Sequence, residues 1–311
     1  MHLGCLTLHM VTTFGSGAAG GSVCILNLHE PLDILQTPTR LSSRISQIKS
    51  FNRTIWTADC NPHGTHAVIG TNRGAALLNL ETKAVSGFYH IRSDVLSEQF
   101  IHSGNVVLCG LRNGAVVSID TRQKQSRLPE HSARPPSRPN TLRVINGRPA
   151  QHEESSTIQK KLNSCNSVVM SSAVCSLVAF QSDERYFLAS SMDGSIKLFD
   201  HRLLQRGAVQ FYAGQVNSHT RLQLGVDPSE TFVMSGGEDC FLRIWSIKNG
   251  ELIFGERISD SILATICWPR NRNNLYDEQK PLAQAVDSYL TSHSWEAWLG
   301  SPDGLFYMHG T

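Results

Sequence analysis

Apolar residues along this chain recur in short alternating runs, each opened by a small residue. Six segments repeat the pattern: GSVCILNL (21–28), GAALLNLE (74–81), GAVVSIDT (114–121), GSIKLFDH (194–201), CFLRIWSI (240–247) and GLFYMHG (304–310). Five of them follow a second apolar run that ends in a turn: HAVIGTNRG (66–74), VVLCGLRNG (106–114), YFLASSMDG (186–194), TFVMSGGEDC (231–240) and WLGSPDG (298–304). Alternation of period two over so few residues predicts strands rather than helices. Asn113-Gly114, Asp193-Gly194, Asp303-Gly304 and the variant Asn72-Arg73-Gly74 supply the positive φ of tight hairpins, so each pair predicts two antiparallel strands. A third short strand closed by a polar turn stands upstream of several hairpins, at 54–64, 176–185, 222–231 and 262–271.

The opening residues of the repeat, Gly21, Gly74, Gly114, Gly194, Cys240 and Gly304, fall 40 to 80 positions apart. A blade of a WD-repeat β-propeller takes about 40–45 residues, so the longer intervals hold insertions. One is plain: residues 123–166 contain five of the 12 prolines and eight Lys or Arg against three Glu. Such a stretch buries too little apolar surface to offset its ordering entropy, and it predicts a disordered basic, Pro-rich insertion between blades. A smaller loop insertion is expected at 270–290. The remaining length holds about six blades, so residues 1–311 are expected to form one all-β propeller domain, either a six-bladed ring or an incomplete seven-bladed one with N-terminal sequence missing.

Composition narrows the function. Lys and Arg total 28 against 26 Asp and Glu, a net charge of +2, which argues against wholesale attraction to nucleic acid or anionic membrane. No apolar run approaches the roughly 18 residues of a membrane span. The eight cysteines sit singly with no Cys-x-x-Cys pair, and no basic residue precedes the apolar start. Both features predict reduced thiols in an intracellular protein of nucleus and cytoplasm rather than a secreted one.

Two apparent sites dissolve on inspection. Gly15-Ser16-Gly17-Ala18-Ala19-Gly20 satisfies the Gly-x-Gly-x-x-Gly spacing, but a strand of the repeat follows it where a dinucleotide site needs a helix. A glycine-rich hairpin turn is the expectation. His63 and His66 are three apart, but Pro62-His63-Gly64 is a turn and no third ligand is in view. No nucleophile elbow stands in a strand-to-helix context. The sequence therefore predicts no enzyme, no cofactor and no metal.

The informative stretch is FLASSMDGSIKLFDHR (187–202). Three small residues (Ala189, Ser190, Ser191) lead to Asp193, an alternating inner strand follows, and Phe199-Asp200-His201-Arg202 closes the unit. It resembles the sixteen-residue box of the substrate receptors of cullin-4 RING ubiquitin ligases, with Phe199 in place of the commoner Trp. A weaker second copy, VVLCGLRNGAVVSIDTR (106–122), departs from the box at Cys109, Asn113 and Ile119 and ends Asp120-Thr121-Arg122. The resemblance implies adaptor binding through Phe199, Asp200, Arg202, Asp120 and Arg122. The implied partners are the ligase adaptor damaged-DNA-binding protein 1, cullin-4 through it, and a protein substrate of unknown identity. No membrane and no direct nucleic-acid contact are implied. Read from the residues alone, each Asp sits where it can order the exit turn, and each Arg emerges on the rim, able to grip an acidic or carbonyl-rich surface in two-pronged fashion. The competing reading is a generic WD-repeat interaction scaffold whose Asp-x-Arg pairs are structural.

Overall fold

The structure is a computed structural model that describes residues 8–16, 19–27, 44–101, 104–122, 167–268 and 295–310. Both expected insertions, 123–166 and 270–290, lie outside the described residues.

Among the described residues, six antiparallel sheets follow one another along the chain, as expected for a β-propeller of about six blades. Blade 1 holds β1 (Leu8–Ser16), β2 (Ala19–Asn27) and β3 (Ile45–Ser50). Blade 2 holds β4 (Ile55–Cys60), β5 (His66–Thr71), β6 (Gly74–Asn79) and β7 (Val85–His90). Blade 3 holds β8 (Val95–Ile101), β9 (Val106–Leu111), β10 (Ala115–Asp120) and β11 (Ser167–Val169). Blade 4 holds β12 (Val174–Ala179), β13 (Tyr186–Ser191), β14 (Ile196–Asp200) and β15 (Gln210–Tyr212), with a 3-10 turn at Leu204–Arg206. Blade 5 holds β16 (Gly225–Val226), β17 (Phe232–Gly236), β18 (Phe241–Ser246) and β19 (Leu252–Arg257). Blade 6 holds β20 (Thr265–Cys267), β21 (Trp295–Ser301) and β22 (Gly304–Gly310).

Each sheet is a meander in which sequence neighbours pair. The strands expected at 54–64 and 176–185 are β4 and β12, and both are innermost in their blades. β14 is third from the centre. β10 and β11 pair with each other, so residues 123–166 join two strands of one blade rather than two blades. A fourth strand of three residues leaves no alternation to read, and the insertion therefore looked like an interblade loop.

The core lies in the seams between blades. Five buried clusters occupy the five successive seams: Val23 against Ile55 and Ile69, Val68 against Val95 and Leu111, Leu108 against Phe187 and Phe199, Leu198 against Val233 and Trp245, and Met234 against Ile266 and Leu299. A blade between two neighbours is apolar on both faces. In β14, Ile196 and Leu198 face blade 5 while Phe199 faces blade 3. Burying each such side chain contributes about 1.5–3 kcal/mol. Polar ends of seam residues are satisfied as well: Trp245 Nε1 donates to the Ala213 carbonyl at 2.8 Å and the Tyr212 hydroxyl to the Ile247 carbonyl at 2.9 Å.

The blades share one orientation. A Cβ at Gly70, which ends the β5 hairpin arm, would strike Val95 at the start of β8, and one at Gly110 would strike Val174 at the start of β12. At the other end, Asp59 Oδ2 accepts the Phe100 N–H at 2.8 Å and Gln99 Oε1 accepts the Ala179 N–H at 2.6 Å. Two faces result. A hairpin face carries the turns between second and third strands, and a strand-exit face carries the ends of the third strands. Between them, the innermost segments of blades 2 to 6 line a central cavity of about 490 Å³ that includes Asp59, Glu98, Ser176, Arg221 and Thr265.

Candidate functional site

The residues that the box picks out converge on the strand-exit face. β10 and β14 are the third strands of adjacent blades and run in the same direction, so Asp120-Thr121-Arg122 and Asp200-His201-Arg202 leave their sheets side by side on one face. Both arginines are exposed. A third Asp-x-Arg, Asp183-Glu184-Arg185, lies in the turn between β12 and β13 on the same face. It was legible by its spacing and was missed because it sits in a turn rather than at a strand end. Tyr186 pairs with Asp200 across β13 and β14, which brings the Arg185 and Arg202 turns together, and the His201 N–H donates to the Arg185 carbonyl at 2.8 Å.

All three turns use the aspartate alike. Oδ1 accepts the backbone N–H two residues on, at 3.0 Å for Asp120, 3.1 Å for Asp183 and 2.9 Å for Asp200. This is the local side-chain-to-backbone bond that makes Asp a turn residue. The arginines differ. Arg122 grips its own Asp120 with both prongs, Nε to Oδ1 at 3.0 Å and Nη2 to Oδ2 at 2.9 Å. Arg185 grips Asp183 in the same manner. The Asp183 carboxyl is held at about 2 by the Arg185 hydrogen bond, with the nearby Arg202 charge adding to it. Arg202 makes no ion pair among the described residues.

Phe199 does not share the exposed edge. The sequence placed it among the contact residues, but its ring is 1% exposed and stacks on Phe187 at 5.5 Å between centroids, inside the seam of blades 3 and 4. An aromatic at this point of an interior strand faces the neighbouring blade, so Phe199 lies behind the edge rather than on it. Leu204 of the 3-10 turn enters the same cluster, and that turn packs against β11. On either side of it, Leu203 and Val209 remain exposed, with Arg206 in its last turn. The edge thus offers an unpaired guanidinium beside apolar side chains.

The glycine-rich run and the histidine pair fall in hairpin strands and a turn. Gly15 pairs with Gly20 in the β1–β2 hairpin, and β2 continues as a strand. His66 lies in β5, its Nδ1 3.0 Å from the Thr65 hydroxyl. No cluster of three metal-ligating side chains occurs among the described residues. The buried Glu98 serves structure: its Oε1 accepts the Gly70 N–H at 3.0 Å, joining blade 3 to blade 2. Burial and the Asp59 charge push its carboxyl well above the ordinary range, against the pull of that N–H and of Arg221.

The chain resembles known WD-repeat proteins. Residues 152–259, which include β14 and Arg202, match the family described as the DDB1- and CUL4-associated factor 4 beta-propeller domain. Human DDB1- and CUL4-associated factor 4 is 30% identical over 184 residues, which are 59% of this chain and 30% of that protein. The chain is similar to that factor over this stretch. An uncharacterized WD repeat-containing protein of Caenorhabditis elegans is 23% identical over 286 residues, 88% of this chain and 45% of that one. The chain thus spans less than half the length of either relative. Among solved structures, a chain of a mitotic checkpoint complex crystal structure superposes with a TM-score of 0.59 at 13% identity, covering 97% of this chain and 75% of that chain. That likeness shows the propeller fold alone. The cullin-4 receptor resemblance read from residues 187–202 is borne out by the family match.

Proposed function

We propose that the protein is a non-catalytic substrate receptor of a cullin-4 RING ubiquitin ligase, docking damaged-DNA-binding protein 1 through the strand-exit face of blades 3 and 4. The observation that carries this reading is Arg202: exposed, unpaired, fixed by its turn, and inside the matched segment. Its planar guanidinium suits two-pronged contact with a carboxylate or carbonyl pair, while Arg122 must first release Asp120. The mechanism is proximity. A substrate held elsewhere on the propeller is kept near a charged ubiquitin-conjugating enzyme, which raises effective concentration without chemistry in this chain. The protein acts in the nucleus and cytoplasm.

A second reading has an observation of its own. Asp120 and Asp183 tie down their own arginines, as a purely structural turn would, and this favours a general WD-repeat scaffold. Affinity capture of the full chain from cells separates the two. Under the receptor reading the adaptor and cullin-4 co-purify, Arg202→Ala reduces recovery, and Arg202→Ala with Arg122→Ala abolishes it. Full recovery with the folded double variant would refute the docking edge.

A further inference from the structure

The hairpin face, opposite the Asp-x-Arg edge, is divided by charge. Over blades 2 and 3 it carries Arg53 before β4, Arg73 in the β5–β6 turn, Arg92 before β8 and Arg112 in the β9–β10 turn. One carboxylate stands among the described residues of these turns, Asp94, and it pairs with Arg112 at 2.7 Å. Arg53, Arg73 and Arg92 have no carboxylate partner among the described residues. Over blades 4 to 6 the corresponding turns carry Asp193, Glu238 and Asp303, together with Asp239 and Asp260, which pair with Arg243 and Arg257, and one arginine, Arg221, before β16. The near-zero net charge of the chain conceals this split.

The basic half also has an aromatic centre. The Trp56 ring receives the Arg112 guanidinium at 5.1 Å and the edge of Phe14 at 5.9 Å, and Phe14 is 59% exposed. The Trp56 carbonyl accepts Arg221 Nη1 at 2.7 Å across the mouth of the central cavity. The Arg53 guanidinium lies 4.1 Å over the Phe88 ring, and its Nη1 is enclosed without a hydrogen-bond partner. Burial and then the Arg73 charge lower the Arg53 pKa, so these two cations repel each other where an anion would relieve both.

We propose that the basic half of this face, Arg53, Arg73, Arg92 and Arg112 around Trp56, is a docking site for an acidic polypeptide segment with an apolar side chain against Phe14 and Trp56. Complementary charge steers such a segment onto the arginines and sets its direction. The acidic half of the same face limits the ligand. A continuous polyanion such as a nucleic acid would run from the arginines onto Asp193 and Glu238, whereas a short acidic peptide ends before them or turns a basic residue toward them. The site lies on the face away from Arg202 and stands whether or not that arginine docks a ligase.

The test is fluorescence anisotropy of the whole chain with a labelled decapeptide of Asp and Glu containing two Phe. Saturable binding is expected, weakened by at least about tenfold when salt rises from about 50 to about 300 mM. Arg73→Ala combined with Arg92→Ala is expected to weaken it by at least about tenfold, with an unchanged melting temperature because both side chains are exposed. Arg202→Ala should leave it unaltered. Equal affinity of the Arg73/Arg92 double variant and the unaltered chain would overturn the proposal. So would tighter binding of a single-stranded oligonucleotide with the same arginine dependence, which would make the ligand a nucleic acid.

Discussion

In blade 3, β10 closes on Asp120 and Arg122; in blade 4, β14 closes on Asp200 and Arg202. Each aspartate accepts the N–H of its arginine within 0.1 Å of the same distance, 3.0 and 2.9 Å, so the backbones leave the sheet alike. The side chains then part company. Arg122 folds back on Asp120, whereas Arg202 makes no such pair, with the Asp183 carboxylate close enough to feel its charge. The strands behind them differ too: β14 buries Phe199, while the matching Ile119 of β10 is only partly buried against the seam of blades 2 and 3. One motif spacing therefore makes a self-contained turn in one blade and an available cation on a stiff support in the next.

The strongest way to break that contrast is through the support. Phe199→Ala removes a fully buried ring that holds blades 3 and 4 together, and it should cost about 3–5 kcal/mol of unfolding free energy in a urea titration. Ile119→Ala should cost about 1–2 kcal/mol, because solvent already covers part of that side chain. Equal losses would mean that the two strand ends are equally well founded. The binding contrast comes next. Arg202→Ala should lower adaptor affinity by at least about tenfold, and Arg122→Ala by less than about threefold, measured by titration with purified adaptor. The reverse order would show that Arg122 opens from Asp120 and carries the contact.

Asp120 offers a smaller adjustment of the same balance. Its pair with Arg122 is exposed on the arginine side and screened by solvent. Asp120→Ala should release Arg122 toward a partner and leave adaptor affinity unchanged or raised up to about threefold. A drop in affinity would instead give Asp120 a direct part in binding.

The sequence exposed some of this and hid the rest for physical reasons. Hairpins were legible because their turns need residues that tolerate positive φ. Gly114 and Gly194 take φ of 86° and 81°, and Cys240 takes 65° at the matching turn. Outer strands were not legible: β11 is three residues long, and β19 is largely exposed, so neither shows a buried face. The innermost β8 was missed because Ser97, Glu98 and Gln99 interrupt its apolar run; these side chains bond neighbouring blades around the cavity. At the candidate edge, spacing located Asp120, Arg122, Asp200 and Arg202, but the burial of Phe199 and the pairing of Arg122 depend on three-dimensional neighbours. The divided hairpin face was illegible for a similar reason, since its arginines come from turns about 20 residues apart in sequence.

The finest difference between the two blades lies in the turn that opens each third strand. Asn113 Oδ1 accepts the Ala115 N–H at 3.1 Å, and Asp193 Oδ1 accepts the Ser195 N–H at the same distance. Only the aspartate titrates. Burial would raise the Asp193 carboxyl, but the Ser171, Ser191 and Ser195 donors outweigh it and hold the group at about 2. A folded pKa below the unfolded value contributes stability that is present above about pH 4 and fades as pH falls toward about 2. Asp193→Asn, which makes the blade 4 turn like that of blade 3, should therefore lower stability at pH 7 by less than about 1 kcal/mol, given the exposure of the site. The gap between variant and unaltered chain should narrow markedly in urea titrations as pH falls toward about 2. A gap of constant size at both pH values would assign the effect to packing of the turn, and the charge difference between blades 3 and 4 would then have no energetic consequence.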